Sequence, residues 1–177
     1  MIYQSKQMEE QGILQTAAKM CTAARTAPKA MARDYICTLV LTGPEKDALA
    51  DKMDEIGQRE FGEKADRWYG RDAGNVRTAQ AVVLIGVKRS FRGVPNCGLC
   101  GFENCSVCKE KGGNCAFAYI DLGVALSSAA LAAADGFVDN RIMFSIGKAA
   151  MEIGYEEDVF WHGIPLSIAG KNKFVDR

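Results

Sequence analysis

Apolar and polar positions alternate along this chain with two different periods. Residues 5–25 place Leu14, Ala17, Ala18 and Cys21 at i, i+3, i+4 and i+7, the spacing of one helix face, and Pro28 closes the segment. A short helical turn over 29–33 is expected next. Residues 35–41 form an unbroken run of aromatic, β-branched and aliphatic side chains ended by Thr42-Gly43-Pro44, which reads as a buried strand. Pro44 suits the first turn of a helix, where its missing N–H leaves no bond unmade, and Glu45 and Asp47 favour the positive helix start. Ala48, Leu49, Met53 and Ile56 supply that helix with its apolar face, which fades by Gly62. The polar stretch 63–77, loosened by Gly70 and Gly74, is expected to be mostly loop.

A second valine-rich run over 79–87 predicts a strand beside the first. The most apolar segment, 116–134, is nearly long enough to span a bilayer, but Asp121, Ser127, Ser128 and its many alanines predict a core helix stopped at Gly136. Gly123, Ser127, Ala130 and Ala134 would let another helix approach it closely. Asp139 or Asn140 is expected to cap a further helix whose apolar face is Ile142, Met143, Ile146, Ala149, Ala150 and Ile153, ending at Gly154. Residues 159–169 read as a strand that Gly163 and Pro165 place at an edge or bend. These elements make an α+β domain over 1–177, interrupted by a cysteine-rich loop over 93–116.

Composition narrows the chemistry. The 177 residues can bury an ordinary core without a staple, so a metal site here is functional before it is structural. Charges balance at 22 and 22, which argues against nucleic acid as the main partner. The first residues lack a basic segment followed by an apolar run, so a cytoplasmic protein without a membrane anchor is expected. In a reducing compartment the seven cysteines read as metal ligands or thiols rather than as disulfides. Cys21 and Cys37 lie within apolar runs and are assigned to the core.

Five cysteines remain, and they crowd into twenty residues. Cys97, Cys100, Cys105 and Cys108 follow C-x2-C-x4-C-x2-C spacing, and Cys115 stands seven positions further on. Structural zinc sites usually separate their two pairs by about 12 to 20 residues, whereas four intervene here. An iron–sulfur cluster needs four thiolates converging from a turning loop, and Gly98, Gly101, Gly112 and Gly113 supply the turns. An iron–sulfur cluster, four-iron in preference to two-iron, is therefore expected, with zinc or metal-free thiol chemistry as alternatives. Cys108 and Cys115 both stand as its fourth ligand. Lys88, Arg89 and Arg92, just ahead of the loop, would compensate the cluster's negative charge, receive an acidic redox partner or sit in solvent. His162 is assigned an ordinary strand or interface role, and the sequence singles out no catalytic residue.

The words Cys97-Gly98-Leu99-Cys100-Gly101 and Cys105 resemble the CGxCGxxxC core of four-iron domains in corrinoid iron–sulfur and related redox proteins. Ala23-Ala24-Arg25-Thr26-Ala27-Pro28-Lys29-Ala30 resembles the AArrAPSA segment of nitroreductase-like flavoproteins, and 119–136 resembles their central helix. The sequence is identified more closely as a member of the "ferredoxin domain" family DUF2148, through its TAPKA segment, its cysteines and its tail at 163–177. This resemblance implies a nitroreductase-like mixed sheet flanked by helices, a homodimer and redox chemistry, with room for FMN. The flavoproteins' arginine-rich N-terminal arm and NxQP element are absent, the latter replaced by Met31-Ala32-Arg33-Asp34-Tyr35. Arg25, Lys29, Arg141, Lys171 and Lys173 are the cations available to an FMN phosphate.

Overall fold

The computed structural model describes residues 1–174. Six α-helices and four strands follow one another as α1 (Ser5–Thr26), β1 (Ile36–Leu41), α2 (Gly43–Phe61), α3 (Tyr69–Thr78), β2 (Ala81–Lys88), α4 (Cys105–Glu110), α5 (Ala116–Asp135), β3 (Asp139–Asn140), α6 (Phe144–Ile153) and β4 (Val159–Ser167). The sheet runs β1-β2-β4-β3 and every pairing is antiparallel, so the sheet expected to be mixed has no parallel pair among the described residues. Each of these strands reverses on its neighbour after a helical excursion, which keeps both α+β layers on the sheet.

The sheet separates two apolar cores. Ala81, Val83, Ile85 and Val87 of β2 face α1 and α5, while Val82 and Leu84 face α2, α3 and α6. That alternation explains why β2 is an apolar run: from Ala81 to Val87 it is covered on both faces, and only Lys88 at its end is exposed. α5 is long and apolar enough to cross a bilayer by length and composition. It lies instead on the sheet and α1 through Ala118, Leu122, Ala125, Leu126, Ala129 and Ala133. Gly123, Ser127 and Leu131 face outward.

Several local expectations are corrected. The buried stripe of α1 is Ile13, Ala17, Met20 and Ala24, one position off the expected one, and Leu14 is exposed. The stretch expected to be loop over 63–77 is helical, first as a 3-10 segment over Gly62–Arg67 and then as α3. Tyr69, Ala73 and Val76 give α3 a buried stripe at i, i+4 and i+7, and the buried Asp72 accepts a hydrogen bond from Ser145 Oγ at 2.6 Å. Asp139 and Asn140 form β3 rather than a cap, and α6 starts after Met143. β4 is an inner strand: Gly163 exchanges backbone hydrogen bonds with Met143, and Pro165 faces the same side, in the gap between Met143 and β3.

Candidate metal centre

The cysteine loop leaves the sheet where β2 ends, at Lys88. Arg89 N–H donates to Asp158 O, and the Arg89 guanidinium donates to Gly112 O and Gly113 O at 3.0 and 3.2 Å. One side chain thus clamps the far limb of the loop to the strand end. Lys88 pairs with Glu156 and Arg92 turns into the core. The three cations ahead of the cysteines are therefore committed to the protein's own structure.

Local turns then aim the thiols. Gly101 N–H donates to Gly98 O at 2.9 Å, closing a tight turn that brings Cys97 and Cys100 to one side, and both glycines have positive φ, at 60° and 80°. Asn104 caps α4 by accepting from Val107 N–H at 3.0 Å, which places Cys105 in the first turn. Cys108 follows three residues later on the inner side. Cys115 stands immediately before α5 and opens that helix.

Cys97, Cys100, Cys105 and Cys115 line one cavity of about 390 Å³, together with Phe91, Phe102 and the 93–98 backbone. Cys108 is not part of that lining. It is fully buried behind it, with its S–H directed at Asn114 O 3.7 Å away, and a Cβ at Gly113 would stand 2.9 Å from its Sγ. Burial raises the Cys108 thiol above the ordinary thiol range, and a hydrogen bond with Cys100 and the like charges of Cys115 and Cys105 act in the same direction. The five cysteines are thus neighbours, four around a space and one beneath it. Among the described residues, no three cysteine, histidine, aspartate or glutamate side chains already gather tightly enough to hold a single metal ion.

The remaining cysteines and the histidine lie elsewhere. Cys21 packs against the α1/α5 core and Cys37 against the opposite one. Burial, with Glu156 alongside, pushes the Cys37 thiol up to about 11, which makes it a poor nucleophile. His162, the chain's single histidine, lies in β4 with its ring 5.9 Å from that of Phe144 and its Nδ1 buried without a hydrogen-bond partner. Burial lowers its pKa, and the Trp161 backbone opposes that shift only in part. The unfolded chain therefore takes up this proton first, so stability is lost as pH falls below about 6.5. Urea midpoints measured from about pH 8 to 5 should fall less steeply for His162→Gln than for the parent chain.

The five cations proposed for a flavin phosphate are not assembled into one site. Arg25 pairs with Asp34, and Lys29 donates to Ala24 O, Arg25 O and Ala27 O, closing the end of α1. Both lie beside the start of β1, level with the end of β2. Lys173 donates through its backbone to Asp139 and through Nζ to Thr78 O, and Arg141 donates to Phe174 O. These two and the exposed Lys171 belong to the opposite end, where β2 begins, roughly 23 Å away at about 3.3 Å per strand residue. As a set within this chain they do not converge on one FMN phosphate.

Comparison with known proteins places the chain in a family. An archaeal protein from Archaeoglobus fulgidus, described only as an uncharacterized protein, is 39% identical over 185 residues that span 100% of this chain and 98% of its own. Residues 111–177 match the family "Uncharacterized protein containing a ferredoxin domain (DUF2148)". The chain belongs to this DUF2148 family. The matched residues of this DUF2148 chain include Cys115 and α5; Val175, Asp176 and Arg177 of the matched tail lie outside the described residues. Its fold is that of the nitroreductases and their relatives. A Desulfitobacterium hafniense nitroreductase with bound FMN superposes with a TM-score of 0.58 at 17% identity, over 89% of this chain and 78% of that one. A BluB-like flavoprotein from Clostridium difficile gives 0.59 at 18% identity, over 89% and 81%. The nitroreductase-like core expected from the helix segments is borne out.

Proposed function

We propose that this DUF2148 protein is an electron-transfer protein whose cysteine loop carries an iron–sulfur cluster, four-iron rather than two-iron, on Cys97, Cys100, Cys105 and Cys115. The observation that carries the reading is the cavity: four cysteines line one partly open volume at the junction of a strand end and a helix start. A single zinc ion would draw its sulfurs to about 2.3 Å from one point. Thiols spaced around a cavity suit a group whose irons are spread over several positions. The family's ferredoxin domain supports iron–sulfur chemistry, and its matched residues, 111–177, include Cys115 of the four.

The surroundings suit a negatively charged, redox-active group. Cys115 opens a 20-residue helix, and the positive end of its dipole favours anionic charge. Phe91 and Phe102 line the cavity beside the four cysteines and give it an apolar wall. When bound, the cluster would supply one-electron oxidation and reduction. The chain's own part is to hold four thiolates, exclude solvent on the inner side and leave an outer face open. Leu99, 59% exposed between Cys97 and Cys100, gives that outer face an apolar tip that a redox partner protein would touch.

The outward face of α5, with Ile120, Gly123, Ser127 and Leu131, is apolar and small enough to receive a second copy, and the proposal includes a homodimer. FMN, bound in the Desulfitobacterium nitroreductase, is assigned no step, because the cations available to it are divided between the two ends of the sheet. Protein purified without oxygen should be brown, bleach on addition of a strong reductant and sediment as a dimer. Stoichiometric zinc in protein made with ample iron would instead favour a structural or interaction role for the loop.

A further inference from the structure

Arg92 is where the cysteine loop is tied to the core. Phe91 and Gly93 on either side of it line the cavity, whereas Arg92 points inward and is 1% exposed. Its Nε donates to Asp121 Oδ2 at 2.7 Å, and Nη2 lies 2.7 Å from the same oxygen as an ion-pair contact without a hydrogen bond of its own. Nη1 donates to Ser90 Oγ, and the guanidinium carbon sits 4.8 Å from the centre of the Tyr35 ring. Asp121, 3% exposed, uses its other oxygen to accept Ala30 N–H at 2.9 Å. The Arg92 carbonyl accepts from Arg33 Nη1 at 3.1 Å.

One buried carboxylate therefore fixes three segments. They are the entry to the cysteine loop, the first turns of α5 and the 30–33 segment, whose Met31 and Ala32 have positive φ of 57° and 52°. Both ends of the proposed ligand set depend on this junction, because Cys97 and Cys100 follow Arg92 in the chain and Cys115 precedes Asp121 on the same helix. A buried ion pair is a poor route to stability, since the cost of removing two charges from water offsets much of their attraction. The rigid, planar guanidinium instead defines one arrangement of the groups it joins, Asp121 through Nε, Ser90 through Nη1 and the Tyr35 ring on its face.

We propose that Arg92 and Asp121 are a positioning pair for the metal centre, setting the loop that carries Cys97 and Cys100 against the helix start that carries Cys115. This rests on the iron–sulfur reading above. The test compares wild type, Arg92→Lys and the double variant Arg92→Met/Asp121→Asn after anaerobic reconstitution, by iron release to a chelator and by reduction potential. The double variant leaves no charge buried alone and keeps an acceptor for Ala30 N–H, so it folds with a cooperative melt. It should nevertheless bind iron about 10- to 100-fold less tightly, the usual effect of removing an outer support from a metal site, and its potential should shift.

Arg92→Lys, which keeps the charge but not the fork, should fall between the two and carries the test by itself if the double variant does not fold. A folded double variant, or failing that Arg92→Lys, that holds iron as tightly as wild type at an unchanged potential would overturn the pair's role alone. A wild-type chain that takes up no iron would overturn the site reading, and this inference with it.

Discussion

Cys108→Ser protein, reconstituted without oxygen, is expected to hold as much iron as wild type, while Cys115→Ala retains almost none. The contrast follows from where the two side chains stand. Cys115 lines the cavity with Cys97, Cys100 and Cys105, whereas Cys108 lies beneath its wall with its S–H directed at Asn114 O. Serine keeps a donor for that carbonyl and fits the enclosed site, so the substitution leaves the fold and the four lining thiols in place. Alanine at position 115 removes one of the four thiolates that a cluster requires. Alanine at Cys97, Cys100 or Cys105 should act like alanine at Cys115. Iron bound by Cys115→Ala and lost by Cys108→Ser would reassign the fourth ligand to Cys108.

The second large effect concerns the core. A methyl group added at Gly147 would lie 1.8 Å from the Trp161 carbonyl oxygen, and both atoms belong to backbone-anchored positions. Relief requires α6 to move off β4, which would also separate Ile146 from Gly163, where a Cβ would approach to 2.0 Å. Gly147→Ala should therefore cost about 3 kcal/mol or more, a loss of roughly 6 to 12 °C in melting temperature for a chain of this size. Gly74→Ala is the matching control. Nothing lies within 4 Å of its added Cβ, so the better helix former should raise stability by about 0.5 to 1 kcal/mol. Equal melting temperatures for Gly147→Ala and wild type would show that α6 packs on the sheet less closely than the approach of Gly147 to the Trp161 carbonyl implies.

Much of the fold was legible because burial on two faces leaves an unmistakable run, as in β2, and because Gly136 and Gly154 stop their helices where expected. α3 is hidden in the sequence because Gly70 and Gly74 suggest loosening, although Tyr69, Ala73 and Val76 carry a helical spacing. Asp139 and Asn140 resemble a cap in sequence, but β4 recruits them as a strand. The cysteine set was legible from spacing alone; the separate place of Cys108 was not, because it depends on the inward turn of α4 and the absence of a side chain at Gly113. The cations available to a flavin phosphate are divided between the two ends of the sheet for a different reason. Charge is visible in a sequence, whereas the end of the sheet to which each cation is carried depends on strand order and register.

Arg92 was legible only in part. It reads as one of three cations before the loop, but Asp121 is the lone acid inside the most apolar segment of the chain, and a buried carboxylate requires a partner. Taken together, those two facts point to the pair that ties the loop to α5.

Electron transfer by this protein requires that the cysteine cavity take a cluster rather than a single ion. Iron and acid-labile sulfide, counted per chain after anaerobic reconstitution and removal of unbound metal, test this directly. About four of each per chain is the predicted result. One zinc per chain, or no bound metal at all, would contradict it.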